Sequence, residues 1–105
     1  MPKVFVPNKN QHDYTEAWDF GELVFCTSGD LSRTDVLTMQ ADIESAMADA
    51  EPSDFILISS LAVLCGIACG VFAARFGELH LLIFENGHYV ERHLSLDETT
   101  ETTES

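Results

Sequence analysis

In this chain of 105 residues with four histidines and three cysteines, only a handful of positions have the type and spacing to do chemistry. His80 and His93 come opposite each other if Leu79–Phe84 and Tyr89–Leu96 pair as a hairpin, and two imidazoles with Glu91 or Asp97 could ligate zinc or nickel. Two histidines are too few to define a metal centre, so a plain cross-strand pair is the expectation, with no metal and no cofactor. Cys65 and Cys69 stand four apart in an apolar segment with no basic residue near them in sequence. They read as packed thiols and not as a redox pair.

A third group is Ser28, Gly29 and Arg33, together with Ser59 and Ser60. These follow two apolar runs that read as strands, and in α/β sheets ligands bind beyond the carboxyl ends of the strands. Serine, glycine and arginine at a helix N-terminus could hold a phosphate. Against this, SGDLSRTD is neither a P-loop nor a dinucleotide fingerprint, and Asp30 and Asp35 would repel an anion. Ordinary helix capping accounts for the same residues. No nucleophile stands beside a base with an orienting partner, so the reading leans away from an enzyme.

The elements that would position these residues are arranged around Phe55–Phe76, in which no charge occurs from Phe55 to Ala74. This run is long enough to cross a bilayer as one helix, which needs about 20 apolar residues. The preferred reading divides it at Ser59-Ser60. Phe55–Ile58 is rich in strand formers after Pro52, and the serines offer an N-cap where a helix over about Leu61–Phe76 would start, closed by Gly77. Only Arg75 is charged in that helix, and Ala62, Gly66, Gly70 and Ala73 or Ala74 form a line of small residues along it. Such a line either seats the helix closely on a sheet or packs against a second helix. Because a small monomer could hardly cover every side of so apolar a helix, a homodimer or larger assembly is expected.

Upstream, Glu22–Thr27 reads as a strand, and Ser32 as the N-cap of a helix over about Arg33–Ala50. Val36, Met39, Ile43, Met47 and Ala50 make its core stripe. Asp35, Asp42 and Asp49 recur every seven residues along a second line, with Glu44 and Glu51 nearby. This ridge is either a solvated face or a phosphate-like array for a basic partner. Downstream, Asn86-Gly87 between two alternating runs signals a type I′ hairpin. Its register pairs Glu85 with His88, Phe84 with Tyr89, Leu82 with Glu91 and His80 with His93. The face carrying Leu79, Leu81, Ile83, Val90 and Leu94 is taken as core.

These elements predict one α/β domain of order β-α-β-α-β-β over residues 22–96, mostly parallel with a C-terminal antiparallel hairpin. Residues 1–21 form an N-terminal arm with an edge strand at Lys3–Val6 closed by Pro7, and Trp18 is expected as a lid over the core. Residues 97–105 (DETTETTES) form a disordered acidic tail.

The formal charge of −13, from 18 acidic and 5 basic side chains, argues against direct binding to nucleic acid or to an anionic membrane surface. It favours a protein partner with a basic surface. Three apolar-set cysteines and an N-terminus with no secretory pattern suit a reducing, cytoplasmic location.

With FGELVF, SGDLSRTDV, FILISSLAVLCGIACGVFAARFG and YVERHLSL, the chain is similar to small uncharacterised accessory proteins of tailed bacteriophages over Val4–Leu96. That resemblance implies an intracellular protein whose acidity targets a host or defence protein, as a nucleic-acid mimic does. It transfers no catalytic residue. Three functions are therefore carried forward: an acidic, self-associating interaction module; a small-ligand or nucleotide-phosphate-binding α/β domain, including a hydrolase; and a single-pass membrane protein spanning 55–74.

Overall fold

The computed structural model describes residues 2–8, 14–27, 35–58 and 62–96. Five strands, β1 (Lys3–Val6), β2 (Glu22–Phe25), β3 (Phe55–Ile58), β4 (Glu78–Glu85) and β5 (His88–Ser95), form one sheet in the order β2-β1-β3-β4-β5. The first four run parallel and β5 is antiparallel to β4. Two helices, α1 (Val36–Ala46) and α2 (Ala62–Phe76), and a short 3-10 helix (Thr15–Asp19) supply the connections. The α/β class, the mostly parallel sheet and the C-terminal hairpin are as the pattern predicts.

β1 to β2 steps one way along the sheet, while β2 to β3 to β4 steps the other. Connections of a single hand must then put the 3-10 segment on one face and both α-helices on the opposite face. The two core clusters have this arrangement. Phe5 and Ile56 pack with Met39, Ile43 and Met47 of α1 and with Leu64, Ala68 and Phe72 of α2. Val4, Val6, Phe55, Leu57 and Leu82 pack on the other side with Tyr14 and Ala17. The alternation Val4, Phe5, Val6 and Phe55, Ile56, Leu57 is the period-two signature of strands buried on both faces.

Three expectations are corrected. Lys3–Val6 is not an edge strand in an arm: β1 pairs with β2 on one side and β3 on the other, so the domain begins there and β2 is the edge. Pro7 follows the strand and withholds no donor from it. Trp18 is not a lid, being 52% exposed; the small Ala17 beside it lets the 3-10 helix lie close to the sheet and turns the indole outward. In the hairpin, the deepest residues are Leu82 and Tyr89, while Leu94 on the expected core face is 48% exposed. Leu79 and Leu81 of that face still pack against the helix-side cluster, because the sheet has a layer on each side.

Within the run Phe55–Phe76 the described residues are strand, over Phe55–Ile58, and helix, over Ala62–Phe76. α2 has 15 residues, about 22 Å at 1.5 Å per residue, against a hydrocarbon core of about 30 Å. Among the described residues no helix is long and apolar enough to cross a membrane, which removes the span over 55–74. Gly77 ends α2 with φ +70°, its N–H bonded to the Ala73 carbonyl at 2.8 Å. Asn86 and Gly87 both take positive φ, 53° and 84°, as a type I′ turn requires, and all four predicted cross-strand pairs occur.

Candidate functional site

The parallel strands bring the ends of β1, β2 and β3 to one side of the sheet, and the chain reverses its direction of travel between β1 and β3. This is the position at which α/β sheets open a crevice. Ser28, Gly29, Arg33, Ser59 and Ser60 lie outside the described residues. The described end of the sheet is polar and buried: Asn8 and Thr27 are each 8% exposed. Thr27 Oγ1 lies 2.7 Å from the Pro7 carbonyl and 2.9 Å from Asn8 Oδ1, and its single proton serves one of them at a time. Tyr14 donates its hydroxyl proton to the Asn8 carbonyl at 3.3 Å. Cys26, next to Thr27, has its thiol pushed up to about 12 by burial, so it is no nucleophile at neutral pH.

Of the acidic ridge, Asp35 is the N-cap residue of α1 and Asp42 stands on its exposed face. Asp49 is exposed but lies beyond the helix, which ends at Ala46 with Met47 as C-cap. The last turn tightens there, with Ala48 N–H bonded to Ser45 and Ala50 N–H to Met47. The three aspartates are all exposed but do not lie on a single helical line, and the predicted extension of α1 to Ala50 is corrected. Val36 of the predicted core stripe is 43% exposed, and Leu37 beside it is 77% exposed.

Among the proposed self-association residues, Ala62, Gly66 and Gly70 are exposed and Ala73 is half-buried. A Cβ added at Gly66 or Gly70 would meet nothing within 4 Å. The small-residue line does not seat α2 on the sheet, since Leu64, Ala68 and Phe72 pack with Phe5 and Ile56 of the strands. Instead Gly70, Ala74, Ile67 and Val71 line one wall of a shallow groove of about 320 Å³, and Gln40 and Glu44 of α1 line the other. Arg75 crosses between the helices and donates to the Met47 carbonyl.

His80 and His93 are cross-strand neighbours with ring centroids 5.7 Å apart. Their Nε2 atoms do not converge: His80 meets Glu91 at 2.7 Å and His93 meets Glu78 at 2.5 Å. The His80 ring lies on Phe55 at 4.0 Å. Among the described residues no group of three or more His, Cys, Asp or Glu side chains is placed to hold a metal. Cys69 is half-buried, its thiol raised by burial and by the neighbouring Cys65.

Sequence reasoning missed the long-range role of Asp54, a carboxylate 1% exposed at the foot of β3. Oδ1 accepts the Lys3 backbone N–H at 2.9 Å and Oδ2 accepts the Glu51 N–H at 2.8 Å. An aspartate between a proline turn and an apolar run signals the local bond, but only the pairing of β1 with β3 reveals the second.

Searches of the curated proteins and of the solved structures gave no match. A protein-family model, by contrast, matches residues 2–96, which include every strand and helix described above as well as the polar strand ends. With that span matched, the chain belongs to the family described as Phage Pam3 gp32-like protein.

Proposed function

We propose that this member of a phage family is a non-enzymatic, acidic interaction module that self-associates through α2 and offers the side carrying Asp35, Asp42 and Asp49 to a basic surface of another protein. The observation that carries the reading is the outward line of Ala62, Gly66, Gly70 and Ala74. It is uncharged and side-chain-poor in a chain of net charge −13, and it lets a second helix approach closely. A second copy is the occupant that suits it, because a basic partner gains nothing from an uncharged helix and is drawn to the carboxylates instead. A reducing, cytoplasmic setting fits the three free cysteines.

Light scattering over a range of concentrations tests self-association. An assembly whose mass Gly70→Leu lowers, with the circular dichroism unchanged, is the expected result; a monomer at high concentration overturns it. The electrostatic half is tested by capture of protein partners at low and high salt, and a bound set indifferent to salt counts against it.

A second reading places a small ligand, such as a nucleotide phosphate, beyond β1, β2 and β3, with Ser28, Gly29, Arg33, Ser59 and Ser60 as its contacts. It is favoured by the reversal of strand order between β1 and β3 and by the buried polar pair Asn8 and Thr27 at that end. A thermal-shift panel of nucleotides and sugar phosphates tests it, and a flat response removes it.

A further inference from the structure

The outer edge formed by β5 is long and regular. Among the described residues, β5 has a strand neighbour only on the β4 side. Its eight residues pair with β4 in unbroken register from Glu85 with His88 to Glu78 with Ser95, with no bulge to turn the edge away. Leu96 N–H donates to the Gly77 carbonyl at 2.8 Å. In an antiparallel ladder bonded pairs recur at every second position, so residues 88, 90, 92, 94 and 96 turn their backbone groups toward β4. Those of Glu91, His93 and Ser95 face the outer edge.

We propose that β5 pairs antiparallel with β5 of a second copy, joining two five-stranded sheets into one of ten, and that the pairing is centred on Arg92. This interface is separate from the one on α2. A two-fold axis perpendicular to the sheet keeps the helix layers of both copies on the same side, and it requires the central residue to face itself. Centring on Glu91 sets two carboxylates against each other, and centring on His93 leaves Glu91 opposite Ser95. Centring on Arg92 sets Glu91 opposite His93 twice and Val90 opposite Leu94 twice.

That register suits the side chains on both faces. On the helix side, Leu94, 48% exposed alone, gains an apolar cross-strand neighbour in Val90 of the second copy. On the other side, each chain already sets a histidine against a carboxylate, His93 on Glu78 and His80 on Glu91. Pairing continues the alternation across four strands: Glu78, His93, then Glu91 and His80 of the second copy. The two central Glu91 and His93 pairs exchange backbone bonds through their outward groups. The one like-charged pair set directly opposite is Arg92 with itself, in a chain whose net charge is −13, and Arg92 Nη1 is already held by the Glu91 carbonyl at 2.8 Å.

A cysteine placed at the two-fold position reads out the register directly. Facing residues of a non-bonded antiparallel pair have Cα atoms about 4.5 Å apart, within disulfide reach, whereas position 91 of each copy sits beyond the roughly 7 Å limit. In full-length Gly70→Leu protein, where the α2 contact is blocked, mild oxidation should link most of the Arg92→Cys chains into dimers. Glu91→Cys and the unsubstituted parent should remain monomeric on a non-reducing gel. His93→Pro removes one outward N–H without touching the β4 ladder, and it should lower the sedimenting dimer fraction in the same background at least tenfold. Absence of a disulfide link in the Arg92→Cys variant, or equal linking at positions 91 and 92, overturns the β5 pairing. The α2 reading fails by a different sign, identical sedimentation of the wild type and Gly70→Leu.

Discussion

Asp54 ties the sheet together at a point where a single atom can be changed. Its carboxylate is 1% exposed and accepts two backbone N–H groups, from Lys3 at the start of β1 and from Glu51 in the turn before β3. Asp54→Asn keeps the shape and one acceptor but presents an NH₂ to the other N–H. A hydrogen bond to a charged group contributes about 1.5–3 kcal/mol, and a buried donor left without a partner costs about 1–3 kcal/mol. The asparagine variant should therefore lose about 2–3 kcal/mol. Asp54→Ala orphans both donors and should lose about 3–5 kcal/mol. Against the 5–15 kcal/mol typical of a whole domain these are large fractions. Urea unfolding monitored by tyrosine and tryptophan fluorescence measures them, and at roughly 4–8 °C per kcal/mol the asparagine variant should melt about 10–20 °C lower. If asparagine falls within about 0.5 kcal/mol of wild type, Asp54 does not act through its two acceptors. An alanine variant no worse than asparagine would refute the ranking in the same way.

Three further outcomes follow from individual positions. Gly21 has no room for a side chain, since a Cβ would sit 2.1 Å from the Pro2 carbonyl oxygen; Gly21→Ala should separate β2 from the start of β1 and lower the thermal midpoint, while Gly66→Ala, with open space around it, should not. Leu82 is fully buried and Leu94 is 48% exposed, so Leu82→Ala should cost about 2–5 kcal/mol and Leu94→Ala no more than about 0.5 kcal/mol in the monomer, which chemical denaturation separates easily. Cys26, raised from 9.0 to about 12 by burial, stays a thiol when folded and ionises near 9 when unfolded; its contribution is whole below pH 9 and is lost as pH climbs toward 12, by up to about 1.4 kcal/mol per unit. Denaturation midpoints that are flat over that window for the wild type and falling for Cys26→Ala would reverse the sign.

Local chemistry made several parts of this fold readable. Asn86-Gly87 set the hairpin and its register because only a few residues tolerate two successive positive φ angles, and Gly77 closed α2 for the same reason. The division between a strand ending at Ile58 and a helix beginning at Ala62 was legible because Phe55–Ile58 is β-rich while the later residues are small and helix-compatible. What was not legible depended on strand order. A four-residue strand such as KVFV looks like an edge when its closing proline is all that can be seen. It becomes central only when β2 and β3 flank it, and that same rearrangement buries Asp54 against Lys3.

The same limit applies to the surfaces. Sequence could say that α2 has no charged face, but not which side the sheet would use, and a line of small residues is compatible with either. The positions of Leu64, Ala68 and Phe72 decide it: they sit at spacings of four and take the sheet. This turns Gly66 and Gly70 outward. With Leu64 and Phe72 buried and Gly66 and Gly70 shown to solvent, the outer side of α2 keeps half-buried Ile67 and Val71 beside its glycines and allows a close backbone approach by a second helix. The acidity elsewhere on the chain bears on the two proposed contacts in the same direction: repulsion between copies is weakest where carboxylates are absent, along the outward small-residue line of α2, or stand beside Arg92 and histidines, along β5.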